Sequence, residues 1–148
     1  MKRIIKKLQE ICVQGETLTL STQELDKNII GEVKEFIYKA NYLEITNNSG
    51  KLVAACVYGI ADKFCWIDNI NILDPSYGNK ALGTKLIKFV EKEAKENGCK
   101  FITGLYIPYG DLQANTEKFY QKNNYQIVKC KRKCLGVNKI YKNLDLEK

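Results

Sequence analysis

At 148 residues, 45% hydrophobic and with a formal charge of +7, the chain has the size and apolar content of one globular domain built on a single core. Its longest apolar runs, such as Leu52 to Ile60, stop short of the roughly 18 residues a membrane span needs. The basic start, MKRIIKKLQEIC, alternates charge with apolar residues instead of leading into the apolar region of a signal peptide. The expectation is therefore one domain over residues 1–148, soluble and cytoplasmic, with no membrane partner.

The positive charge points to anions, but only Arg3 and Arg132 are arginine and the lysines are spread along the chain. Base readout favours arginine, and no block of basic residues interleaved with aromatics occurs, so no nucleic acid partner is expected. Cys12, Cys56, Cys65, Cys99, Cys130 and Cys134 lack the short paired spacings of a secreted disulfide framework, which fits a reducing compartment. With no histidine and no second cysteine pair beside Cys130 and Cys134, a zinc site lacks ligands, and no metal is expected.

In chain order, Lys2 to Val13 places Ile4, Ile5, Leu8, Ile11 and Cys12 at helical spacing and predicts a short helix ended by Gln14-Gly15. After the brief TLTL segment, Ser21 with Glu24 three residues on reads as a capping box opening a second helical region to about Ala40. From Tyr42 the period becomes two. YLEIT, the turn Asn47 to Gly50 and KLVAACVYGI form a hairpin in which Leu52, Ala54, Cys56, Tyr58 and Ile60 share a face. Phe64 to Leu73 is a third strand of this meander.

A Pro-containing turn and a loop with two glycines, Gly78 and Gly83, lead into an amphipathic helix from about Leu82 to Glu96. Its buried face is Leu82, Leu86, Ile87, Val90 and Ala94, and Asn97-Gly98 is its stop. A helix N-terminus behind such a loop leaves N–H groups that attract phosphate. KFITGLYIP is the next strand, parallel to the one before the helix. Asp111 to Lys122 is a shorter helix, with Asn123-Asn124 able to take a left-handed stop. Two strands close the chain, Tyr125 to about Lys131 and Asn138 to Leu144.

The order of these elements and two motifs resemble the GNAT superfamily of acyl-CoA-dependent N-acyltransferases. Its cofactor loop has Arg or Gln, two residues, Gly, one residue, then Gly or Ala, after a strand ending near Pro. Here Leu73-Asp74-Pro75-Ser76-Tyr77 forms the approach and Gly78-Asn79-Lys80-Ala81-Leu82-Gly83 the loop. Gly83 matches, whereas Gly78 and Ala81 depart from the pattern. Ala81 adds a methyl group and is expected to disfavour a positive φ. Further on, Gln113, Thr116, Phe119-Tyr120 and Asn124-Tyr125 stand where the family carries Asn, a small residue, an aromatic-Tyr pair and Gly-Phe.

The resemblance implies an α/β (α+β) fold. Its central sheet is mixed, mostly antiparallel and flanked by helices, with a V-shaped splay between the strands before and after the long helix. It also implies transfer of an acetyl group from acetyl-CoA to a primary amine by direct attack in a ternary complex, with a homodimer left open. Gly78, Asn79, Lys80, Ala81, Leu82, Gly83, Thr84 and Gln113 would bind the cofactor. The strand segment Asn71, Ile72 and Leu73 would hydrogen-bond the pantetheine arm through its backbone, with an N–H of Leu73 or its neighbour at the acyl oxygen.

Tyr120 would return a proton to the CoA thiolate. The general base is open among Asp68, Glu44 and water. Asp68 is one residue off where some members of the family carry a glutamate, a slip that reverses its face unless a bulge intervenes. A member of the family that has lost turnover and only senses CoA or a protein is the alternative.

Overall fold

The computed structural model describes residues 5–13, 15–26, 35–77, 81–106, 117–128 and 138–144. Its strands are β1 (Ile5–Val13), β2 (Glu16–Leu25), β3 (Ile37–Thr46), β4 (Leu52–Ala61), β5 (Phe64–Ile72), β6 (Phe101–Tyr106), β7 (Gln126–Val128) and β8 (Asn138–Asn143). They form one sheet in the order β1-β2-β3-β4-β5-β6-β8-β7. Every pairing is antiparallel except β5 with β6, which the intervening helix α1 (Leu82–Glu96) makes parallel. A second helix, α2, covers residues 117–122. The fold is the expected mixed α/β class with a mostly antiparallel central sheet.

Two early expectations fail. The segment read as an N-terminal helix is strand β1, which Gly15 at φ 80° turns back onto β2. Its register slips between Lys7 and Gln9, and such a bulge breaks the two-residue period in sequence, leaving apolar residues at spacings that mimic a helix. The capping box fails for a tertiary reason. Ser21 lies in β2 opposite Glu44, and its hydroxyl donates to Glu44 Oε1 at 3.4 Å instead of capping a helix. The ends of the supposed second helix are strand, Ser21 to Leu25 in β2 and Ile37 to Ala40 in β3, and residues 27–34 between them lie outside the described residues.

Strand alternation then sorts the sheet into two faces. One carries Leu18, Leu20, Leu43, Ile45, Ala54, Cys56, Tyr58, Ile60, Cys65, Ile67 and Ile102, all buried in the main core. Helix α1 lies across β4, β5 and β6 on this side and buries Leu82, Leu86, Ile87, Val90 and Ala94. Each such leucine or isoleucine stabilises by about 1.5–3 kcal/mol relative to exposure. Helix α1 stops where Gly98 takes φ 78° and the Cys99 N–H donates to the Ala94 carbonyl at 2.9 Å.

The other face buries Ile37, Ala40 and Ala61 beneath Leu25, Val57, Phe64 and Trp66. Beyond them runs a row of rings, Phe36, Phe64, Phe101 and Tyr141, with neighbouring centroids 6.4, 5.6 and 5.4 Å apart. Among the described residues, no helix is long and apolar enough to cross a membrane.

Candidate active site

The site is built where two strands part. β5 and β6 pair only from Phe64↔Phe101 to Ile67↔Gly104. Beyond that point β5 stays with β4 as far as Ile72, and β6 stays with β8 as far as Tyr106, so a V-shaped cleft opens between them. At its vertex a Cβ on Gly104 would collide with the Ile67 carbonyl oxygen. Glycine is what lets the two backbones meet there.

A bulge marks the same point on the other side of β5. Val57 pairs with Asn69 and Tyr58 with Ile67, leaving Asp68 as the extra residue. The bulge on which the Asp68 assignment turned is therefore present. Asp68 faces largely outward, and partial desolvation holds its carboxyl above the usual range. The Trp66 indole acts the other way, as a polar donor turned to that carboxyl, although among the described residues its buried nitrogen has no partner within 3.5 Å. Glu44 is not beside Asp68. It belongs to the cross-strand row Ser21, Glu44, Ala55 and Asn71, two strands and about 10 Å from β5.

The backbone of β5 decides which amides face the cleft. The Leu73 N–H donates to the Val53 carbonyl at 2.9 Å, and the Asp74 N–H to the same oxygen at 3.3 Å. In an antiparallel ladder such hydrogen-bonded positions alternate, so Asn71 and Leu73 turn their amides toward β4. Ile70 and Ile72 turn theirs toward the opening. The Leu73 amide is thus occupied within the sheet.

Past Leu73 the chain is tied down before it enters α1. Asp74 accepts from the Ser76 backbone N–H at 3.1 Å and hydroxyl at 2.7 Å, and from Lys51 Nζ at 3.1 Å. These bonds hold its carboxyl below the ordinary range. The Tyr77 hydroxyl donates to the Glu16 carboxylate, 2.7 and 2.8 Å from its two oxygens. Gly78, Asn79, Lys80 and Gln113 lie outside the described residues.

Ala81 does what its side chain was expected to resist. It stands at φ 58° and ψ 24° as the residue before α1, and no side chain among the described residues caps the helix there. The amides of Leu82, Gly83 and Thr84 follow in the first turn, the region of an α-helix whose N–H groups have no partner within the helix. From Ala81 a groove of about 630 Å³ runs along α1, lined by Gln9, Thr84, Lys85, Lys88, Phe89 and Lys92.

Helix α2 meets this turn through Phe119, whose ring edge is 2.9 Å from where a Gly83 Cβ would be. Tyr120 is buried, its ring 5.2 Å from that of Phe119 and 5.7 Å from that of Tyr125. The structure thus brings Gly83, Phe119 and Tyr120 into one cluster. Cys56, Cys65 and Cys99 are buried and desolvation raises all three thiols, while Cys12 is exposed on β1. No group of three or more potential metal ligands occurs among the described residues.

Gly104 and Trp66 escaped the sequence reading. An isolated glycine inside a strand pattern is the signal that would have found the first; nothing local marks the second.

Comparison with known proteins agrees with this geometry. The family model for the acetyltransferase (GNAT) family matches residues 16–125. An uncharacterized protein of Bacillus subtilis (strain 168), YdhI, is 38% identical over 82 residues, covering 55% of this chain and 48% of that one, so the match spans about half the relative's length. A GNAT-family acetyltransferase of Staphylococcus aureus Mu50 superposes with a TM-score of 0.60 at 22% identity, covering 71% of this chain and 68% of the other. The PaiA N-acetyltransferase of Thermoplasma acidophilum, solved in complex with coenzyme A, gives 0.57 at 18%, covering 69% and 59%. With the family model matching well over half of its length, and a splayed sheet opening beside the start of its long helix, the chain belongs to the GNAT acetyltransferase family.

Proposed function

We propose that this chain, acting as one domain, transfers an acetyl group from acetyl-CoA to a primary amine of a small molecule or protein, by direct attack in a ternary complex. The observation that carries this reading is the cleft beyond Ile67 and Gly104, which opens beside a helix start that no described side chain caps. The amides of Leu82, Gly83 and Thr84, with the loop from Gly78 to Ala81, hold the pyrophosphate. Lys85 and Lys88 in the adjoining groove add positive charge.

The pantetheine arm lies along Ile70 to Leu73 of β5, where the outward amides of Ile70 and Ile72 are the donors for it and for the acyl oxygen. The amine nitrogen forms its bond to the acyl carbon as the carbon–sulfur bond breaks. Its proton passes to Asp68, Glu44 or water. The departing thiolate takes a proton from the Tyr120 hydroxyl. No acyl-enzyme is needed, and the desolvated thiols of Cys56, Cys65 and Cys99 are poor nucleophiles.

Thermal unfolding with and without acetyl-CoA, followed by thiol release across a panel of amines, tests the reading. A ligand at one hundred times its Kd stabilises by about 2.7 kcal/mol, which raises Tm by several degrees. No shift with acetyl-CoA would overturn the cofactor assignment. A shift with no thiol release from any amine would mark a coenzyme-sensing module instead of an enzyme.

A further inference from the structure

A buried ion pair lies behind the Tyr120 helix. Lys142 of β8 and Glu91 of α1 are almost fully buried, with Nζ 3.1 Å from Glu91 Oε2. The Tyr125 hydroxyl donates to the same oxygen at 2.9 Å, and Lys142 donates also to the Asn123 carbonyl at 3.1 Å. The Lys142 ammonium sits 5.4 Å from the centre of the Tyr125 ring. On the solvent side Lys88 reaches Glu91 Oε1 at 3.4 Å.

Both residues held by this pair also hold Tyr120. The Asn123 and Tyr125 N–H groups donate to the Tyr120 carbonyl, at 3.1 and 2.9 Å, through a turn in which Asn124 takes φ 69°. The Asn123 side chain donates to the Phe119 carbonyl at 2.9 Å. From these contacts we infer that Glu91 and Lys142 are positioning residues: they lock the 123–125 turn and so fix where α2 places the Tyr120 hydroxyl. This rests on the role proposed for Tyr120.

A buried ion pair is weak as a source of stability, because desolvating two charges offsets most of their attraction, and apolar pairs of similar volume often stabilise as well or better. What it supplies is direction. Lys142 places one ammonium against a carboxylate, a ring face and the carbonyl following α2, where the helix dipole also favours a cation. An apolar side chain could fill the same space without fixing that carbonyl.

The test removes both charges together, as Glu91→Leu with Lys142→Met, in protein labelled with 3-fluorotyrosine whose signals are assigned by Tyr→Phe substitutions. The expected result is a folded variant in which the Tyr120 resonance shifts or broadens while that of Tyr42, on β3, stays in place. Tyr125→Phe, which removes only one hydroxyl, should move the Tyr120 resonance in the same direction by less and covers the case in which the double variant does not fold. An unmoved Tyr120 resonance overturns the inference.

Kinetics give a second readout. Thiol release by the double variant should fall about tenfold in kcat at unchanged KM for acetyl-CoA, with no further fall in a Tyr120→Phe background. Equal losses in both backgrounds overturn the inference. If Tyr120→Phe alone leaves thiol release intact while the resonance still moves, the acid role fails and the positioning stands.

Discussion

The ring of Phe119 rests against Gly83, so the first turn of α1 and the helix that carries Tyr120 share one contact. Gly83→Ala puts a methyl group into that ring. Overpacking costs about 1–3 kcal/mol, against a gain of about 1 kcal/mol from alanine's helix propensity. The net loss should shrink when Phe119→Leu is added, as urea unfolding of the four proteins would show. Gly83→Val should go further and abolish the thermal shift given by acetyl-CoA.

Ala81 holds a left-handed conformation that costs an L-residue roughly 1–2 kcal/mol. Ala81→Gly should therefore raise stability by about 1 kcal/mol in spite of the extra unfolded-state entropy of glycine. It should also tighten acetyl-CoA, since the family's glycine leaves the phosphate-facing backbone clear. A urea midpoint and a calorimetric titration check the two parts, and a lowered midpoint would contradict the strain argument.

Gly104→Ala drives a methyl group into the Ile67 carbonyl, a backbone atom held by the sheet. Relief requires β5 and β6 to separate at the vertex. A loss of roughly 2–3 kcal/mol is expected, read as a Tm drop of several degrees, and coenzyme binding should weaken beyond what the stability loss explains.

Desolvation raises the Asp68 carboxyl in the folded protein, so the native state binds its proton more readily than the unfolded chain does. Stability from this group is present below its unfolded pKa and is lost as pH rises through the folded value. Asp68→Asn should flatten that part of the stability-versus-pH curve. If Asp68 is also the base, kcat/KM should rise with pH through the same raised pKa, and Asp68→Asn should remove that limb of the profile. An unchanged profile would pass the role to Glu44 or water.

What the sequence disclosed divides along a physical line. Helix α1 was legible to the residue because its apolar stripe, its stop at Asn97-Gly98 and its length are all local properties. The β3–β4–β5 meander was legible from its two-residue period, although β3 begins five residues earlier than the period suggested. β1 was not, since its bulge disguised the alternation and its partner is what makes it a strand.

The site splits in the same way. Motif spacing singled out Gly83 and Tyr120, and the fold brings both to the cluster around Phe119. The Leu73 amide was beyond reach, because only the pairing with Val53 reveals that it is spent within the sheet. Nothing local marks Glu91 or Lys142 as partners, since 51 positions separate the atoms that meet.

The strand order also bears on how the protein is made. β8 follows β7 in the chain yet lies between β6 and β7, so the far wall of the cleft gains its inner partner late. A nascent chain can close β1 to β5 as successive hairpins while synthesis continues. Until β8 inserts, β6 has one open edge and the Glu91 carboxylate lacks Lys142. The cleft is therefore finished only when β8 has emerged, and ribosome-bound chains ending before residue 138 should not yet retain acetyl-CoA.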